Sequence, residues 1–156
     1  MQRNDITDDL AKLAFDFFYS FSRFEFALKE CGYLKSKKPG AKAKPNWGEF
    51  VEKWEDRYAI SEAGRALLEE NPATQVIAAC GDLDFVAVDF AEGNSDLQQV
   101  VDLVNIVRNN LFHGGKHGGK GWDDPKRMMT LLPIVITLLG ELAEFSEIDG
   151  DYLGIY

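Results

Sequence analysis

Residues able to do chemistry crowd into one stretch of this chain, "VRNNLFHGGKHGGKG", Val107 to Gly121. Both histidines, His113 and His117, lie there, with Arg108, Asn109, Asn110, Lys116 and Lys120 around them. Such a set suggests a phosphate-binding loop, a metal site, a catalytic centre, or only a flexible helix end. Gly114, Gly119 and Lys120 satisfy the G-x-x-x-x-G-K part of a nucleotide-binding loop. Gly121, however, stands where that loop needs a magnesium-binding hydroxyl, and the glycines follow a helical pattern where the motif has them open one. His113 and His117 are four apart, but Gly114 and Gly115 between them end a helix, and no H-E-x-x-H glutamate is present. No metal is therefore expected. A catalytic centre and a plain flexible helix end stay open as readings of the stretch.

The element that carries them reads "SDLQQVVDLVNIVRNNLF", a helix with Ser95 as cap and glycines at its end. At 100° per residue, Leu97, Val101, Val104 and Leu111 fall within about 60° of Arg108. A guanidinium in an apolar stripe is costly unless it has a partner. Asn105, Asn109 and His113, spaced by four, line the adjacent edge. Two readings stay open: a buried arginine satisfied by carbonyls with His113 as an ordinary C-terminal cation, or a polar site. Glu25 is a second misplaced charge, about 40° from Phe21 on the first helix. The two are expected to meet as a Glu25–Arg108 ion pair or to line one polar cleft; the simpler alternative pairs Glu25 with Lys29 one turn on.

The first helix is predicted over Ile6 to Cys31, with Asp5 or Thr7 as cap. Its apolar stripe is Leu10, Ala14, Phe17, Phe21, Phe24 and Leu28. Residues 35–46, rich in Lys, Gly and Pro, read as a mobile basic loop. "NWGEFVEKWEDRYA" suits a short helix with Trp47, Phe50 and Trp54 on one side. Further short helices are predicted at Glu62–Glu70 and Thr74–Cys80. "LDFVAVDFAE" alternates like a strand, but one isolated strand is disfavoured. The last long helix starts at Asp124 and Pro125, runs to about Phe145, kinks at Pro133, and belongs in the centre of the bundle. The expected fold is all-α: two long antiparallel core helices plus short helices, one domain over residues 1–156.

At 156 residues and 46% hydrophobic, the chain can build a proper core. Cys31 and Cys80 form no disulfide framework and read as reduced thiols in a cytoplasmic protein. The acidic N-terminus is unlike a targeting peptide, and "MMTLLPIVITLLG" is too short for a bilayer, so a soluble protein is expected. A net charge of −9 disfavours a broad grip on nucleic acid but leaves local basic patches able to hold a few phosphates.

The run Arg108-Asn109-Asn110-Leu111-Phe112-His113 resembles the signature of the HEPN (higher eukaryotes and prokaryotes nucleotide-binding) domains: Arg, four to six residues, then His, with Asn, Asp or His favoured after the Arg. "FSRFEFALKECGYL" likewise looks like the first helix of stand-alone HEPN proteins, and the resemblance covers most of the chain. It implies a metal-independent, cofactor-free endoribonuclease of toxin–antitoxin or antiphage defence systems, which attacks RNA with its own 2′-OH and leaves a 2′,3′-cyclic phosphate. Arg108, Asn109 and His113 would be catalytic, with Glu25, Asn105 and Asn110 supporting. Lys116, His117 and Lys120 would hold the RNA backbone. The family's usual state implies a homodimer whose motifs share a cleft, with an antitoxin protein as a possible further partner. Gly115 replaces the tyrosine found two residues after the His in toxins paired with minimal nucleotidyltransferases, so control at that tyrosine is not implied. The alternative is a non-catalytic helical module binding a nucleotide, RNA or a protein. A third reading makes Arg108 and Glu25 merely a structural lock.

Overall fold

The long apolar stripe of the N-terminal segment becomes α1 (Asp8–Glu30) in a computed structural model that describes residues 6–79, 81–113 and 124–155, with His113 described by its backbone alone. Thr7 caps it by accepting the Leu10 amide at 3.2 Å, and Asp8 and Asp9 complement the positive end of the helix dipole. Leu10, Phe17, Phe21, Phe24, Ala27 and Leu28 are buried along one side. Then come α2 (Trp47–Trp54), a 3-10 turn at Glu55–Arg57, and α3 (Glu62–Glu70). Ser61 caps α3 and at the same time donates to Glu141 at 2.5 Å, tying that cap to the central helix.

The chain next forms a hairpin, β1 (Thr74–Ile77) against β2 (Leu83–Val86), antiparallel with Thr74 opposite Val86 and Ile77 opposite Leu83. This corrects two expectations. Thr74–Cys80 is not helical: its first four residues are a strand, Ala78 and Ala79 turn, and Cys80 lies outside the described residues. The alternating "LDFV" is a strand after all, because β1 supplies the partner that an isolated strand lacked. Gly81, at φ +87°, sits in the connecting turn, where a side chain would be strained. The fold is thus mainly α, with one small hairpin.

Two long helices complete the bundle, α4 (Asp96–His113) and α5 (Pro125–Phe145), followed by the short α6 (Asp149–Leu153). Asp124 caps α5 with Pro125 in its first turn. The helix runs unbroken through Pro133, which is exposed, so the missing N–H falls on the solvent side. It packs mainly against α1 and α3, and Leu131, Leu132, Val135, Leu138, Leu139 and Leu142 are fully buried. By length and composition α5 is the one described helix that could cross a membrane, at a mean hydropathy of 1.7 over its best window. The leucine surface, however, is spent on the bundle, as in a core helix. Arg23 of α1 donates to the carbonyls of Asp151 and Tyr152 and so pins α6 against α1. The basic segment 35–46 is closed at its base, where Leu34 pairs with Pro45, the Lys35 amide bonds the Lys44 carbonyl and the Asn46 amide bonds the Tyr33 carbonyl.

One half-buried carboxylate opposes the fold. Burial raises the pKa of Asp102 on α4, partly offset by the hydrogen bond from Gln98 at 2.8 Å. A raised folded-state value means this group's contribution is fully present below the unfolded carboxylate range and is lost as pH climbs through it. Asp102→Asn keeps the acceptor for Gln98 and removes the charge. It should stabilise the protein at pH 7 by under about 1 kcal/mol, given solvent screening, and the gain should vanish near pH 3 in urea titrations.

Candidate functional site

The face of α1 that carries Glu25 and the face of α4 that carries Arg108 meet across a cleft of about 230 Å³, lined by Phe18, Phe21, Ser22, Glu25, Arg108 and Phe112. Phe18 meets Phe112 edge-on at 5.9 Å, while Arg108 lies over Phe21 at 5.9 Å and over Phe112 at 5.4 Å. Later residues of α1 thus face earlier residues of α4, so the two helices pass the cleft antiparallel. Phe21 is the buried floor; Phe18, Ser22 and Phe112 are exposed and leave the cleft open to solvent.

Of the two arrangements expected for Glu25 and Arg108, the shared cleft is present and the ion pair is not. Among the described residues no carboxylate lies within 4.0 Å of the Arg108 guanidinium. Among the described residues its hydrogen bond is to the neutral Oδ1 of Asn109, at 3.0 Å. Glu25 pairs neither with Arg108 nor with Lys29; its Oε1 accepts the Trp47 indole N–H at 3.3 Å. Trp47 is itself fixed by stacking on Phe24, with ring centroids 4.9 Å apart and planes 13° from parallel. A half-buried cation and a half-buried carboxylate therefore share one pocket without neutralising each other. Two aromatic rings hold the cation in place, which lowers its solvation without consuming its N–H donors.

The other candidates divide. Asn109, exposed beside Arg108, steers the guanidinium. Asn105 is turned back on its own helix, donating to the Val101 carbonyl at 2.9 Å, and does not line the cleft. Asn110, 5% exposed, lies two residues and about 200° around α4 from Arg108. It donates to the Ala73 carbonyl at 2.7 Å, so it anchors the chain entering β1 and takes no part in the cleft. His113 is the last residue of α4, five residues beyond Arg108. Lys116, His117 and Lys120 lie outside the described residues.

Phe18, Phe112 and Ser22 are additions that sequence reasoning missed. Phe18 falls off the buried stripe of α1, and a helical projection that asked which aromatics avoid the core would have found it. The same projection exposes Phe15 and Tyr19, which are 63% and 56% accessible and continue the aromatic surface beyond the cleft. A larger cleft of about 530 Å³ lies elsewhere, lined by Cys31, Tyr33, Lys37, Glu49 and Lys53 among others. There Lys37 is already paired with Glu49 at 2.8 Å, and the Cys31 thiol is pushed up by burial and by the neighbouring Asp151 carboxylate. That site offers neither a free cation at Lys37 nor a reactive thiolate. No protein-family model, curated protein or solved structure matches this chain.

Proposed function

We propose that this protein is a metal-independent endoribonuclease, acting from the α1–α4 cleft on single-stranded RNA. The observation that carries the reading is the Arg108 guanidinium: half-buried, held by two aromatic rings, and unpaired by any described carboxylate. A cation used only to lock the bundle would take Glu25 as its partner, and it does not. An oriented cation with free donors is suited to an anion that arrives, such as the phosphate between two nucleotides.

In the reaction proposed, the 2′-OH of the upstream ribose loses its proton to a general base and attacks the adjacent phosphorus. The phosphorus–O5′ bond breaks, and a general acid protonates the departing O5′. The products are a 2′,3′-cyclic phosphate and a 5′-hydroxyl, with no water or metal consumed. His113, at the end of the same helix, is the proposed general acid–base group. Arg108 stabilises the charge gathering on the phosphorane oxygens, and Asn109 keeps its fork in place. Lys116, His117 and Lys120, next along the chain, are proposed to carry the flanking phosphates. A second copy covering Phe15 and Tyr19 would set two such clefts near each other, which is the proposed homodimer. The proposed setting is a cytoplasmic toxin or antiphage system with an antitoxin partner.

The chemistry of the product ends tests this. Purified protein with unstructured RNA in excess EDTA should give 2′,3′-cyclic phosphate and 5′-hydroxyl ends. Ends bearing 5′-phosphates, or cleavage abolished by the chelator, would contradict the assignment.

A further inference from the structure

The cleft is divided electrostatically. Arg108 favours an anion on the α4 side, but Glu25 on the α1 side would repel one. Whatever fills the space must bring negative charge to one end and hydrogen-bond donors to the other. It must also be flat enough to lie against Phe18, Phe21 and Phe112. A nucleotide has this form: a flat base with its hydrogen-bonding edge at one end and, across the ribose, a phosphate at the other.

The carboxylate selects which base. Glu25 uses one lone pair of Oε1 on Trp47, and Oε2 has no partner among the described residues. Both oxygens thus retain acceptor capacity, side by side. Guanine alone among the four RNA bases presents two adjacent donors, N1–H and N2–H, on its Watson–Crick edge. Adenine and cytosine set a ring-nitrogen acceptor next to their amino group, which would face the second carboxylate oxygen. Uracil offers one N–H between two carbonyls. Ser22, also lining the cleft, brings a hydroxyl that can donate to a base carbonyl. Because a paired base hides its Watson–Crick edge, the strand must be unpaired there.

We infer that the α1–α4 cleft is a guanine subsite: Glu25 reads the N1–H and N2–H edge, and Phe18 stacks the base while Phe112, edge-on to Phe18 and under Arg108, borders it. The inference rests on the ribonuclease reading for its substrate class and adds a base preference to it. Trp47 is then a positioning residue, since its indole holds the carboxylate toward the cleft.

Fluorescence anisotropy with labelled pentaribonucleotides tests it, using 5′-CUGUC, the same strand with adenine or inosine in place of the guanine, and His113→Ala protein so that binding is read without turnover. Guanine should be preferred over adenine by about ten-fold or more, as expected for a charge-assisted edge contact. Inosine, which keeps N1–H and lacks the N2 amino group, should fall between. Glu25→Gln retains an acceptor for Trp47, removes the charge that repels phosphate, and sets an amide donor beside an acceptor as adenine's edge requires, so it should erase or invert the preference for guanine. Phe18→Leu should weaken every strand alike, on the order of ten-fold, as loss of a stacking surface does. GMP as competitor separates a free nucleotide from a strand: displacement at the strand's own affinity marks the mononucleotide as the source of the guanine, and weaker displacement marks the chain. Equal binding of the guanine and adenine strands, or a preference that survives Glu25→Gln, overturns the subsite. Cyclic-phosphate cleavage in that case leaves the ribonuclease reading standing, whereas failure to bind any strand removes both.

Discussion

Arg108→Ala should lower RNA cleavage by about 10²–10³-fold, the usual cost of deleting one group that stabilises developing negative charge. The fold should survive, because among the described residues the guanidinium makes one hydrogen bond, to the exposed Asn109, and closes no ion pair. Its stability cost is confined to lost packing over Phe21 and Phe112. Arg108→Lys is the sharper comparison. Lysine keeps the charge but loses the planar fork, so it should recover binding to the strand and little of the rate. A structural lock predicts the reverse pattern: several kcal/mol of stability lost with alanine, as for a broken buried pair, and no effect on rate in the molecules still folded. Urea titration and single-turnover cleavage on the same preparations separate the two.

Phe24→Ala should cost about 3–5 kcal/mol, the largest stability effect expected from one substitution here. Phe24 is fully buried and sits where three elements converge: it stacks on Trp47 and meets Phe50 and Tyr152 edge-on at 5.6 and 6.2 Å. Removing the ring leaves a cavity under α2 and α6 that rigid helices cannot close. For a domain whose whole stability is on the order of 5–15 kcal/mol, the loss is severe. The urea midpoint should fall with little change in slope. Glu25 should feel it too, since its indole partner stands on that ring.

The mainly helical fold was legible because its long elements announce themselves locally. Thr7, Ser95 and Asp124 are caps by type and position, and the stripes of α1 and α5 repeat over several turns. The hairpin was not legible for a complementary reason. "TQVI" is too short to separate a strand from a helical turn by period, and "LDFV" is a strand only because a partner lies twelve residues or fewer upstream. Pairing is a tertiary fact that neither segment carries alone. The site shows the same division. Periodicity located Glu25 and Arg108 as charges on apolar faces, and the structure brings both to one cleft. It could not foresee that Trp47, from another helix, would satisfy Glu25 and leave Arg108 without a counter-charge. Nor could it tell that Asn110, adjacent to Asn109 in sequence, turns away to hold the hairpin.

The most direct test of a ribonuclease built on Arg108 and His113 is the yield of 2′,3′-cyclic phosphate ends from RNA in excess EDTA, compared between wild type and His113→Ala. Loss of the general acid–base group should cut that yield by about 10²–10⁴-fold, in protein that unfolds at the wild-type urea concentration. The same background of ends from both proteins would contradict the account and leave the cleft as a binding site without turnover.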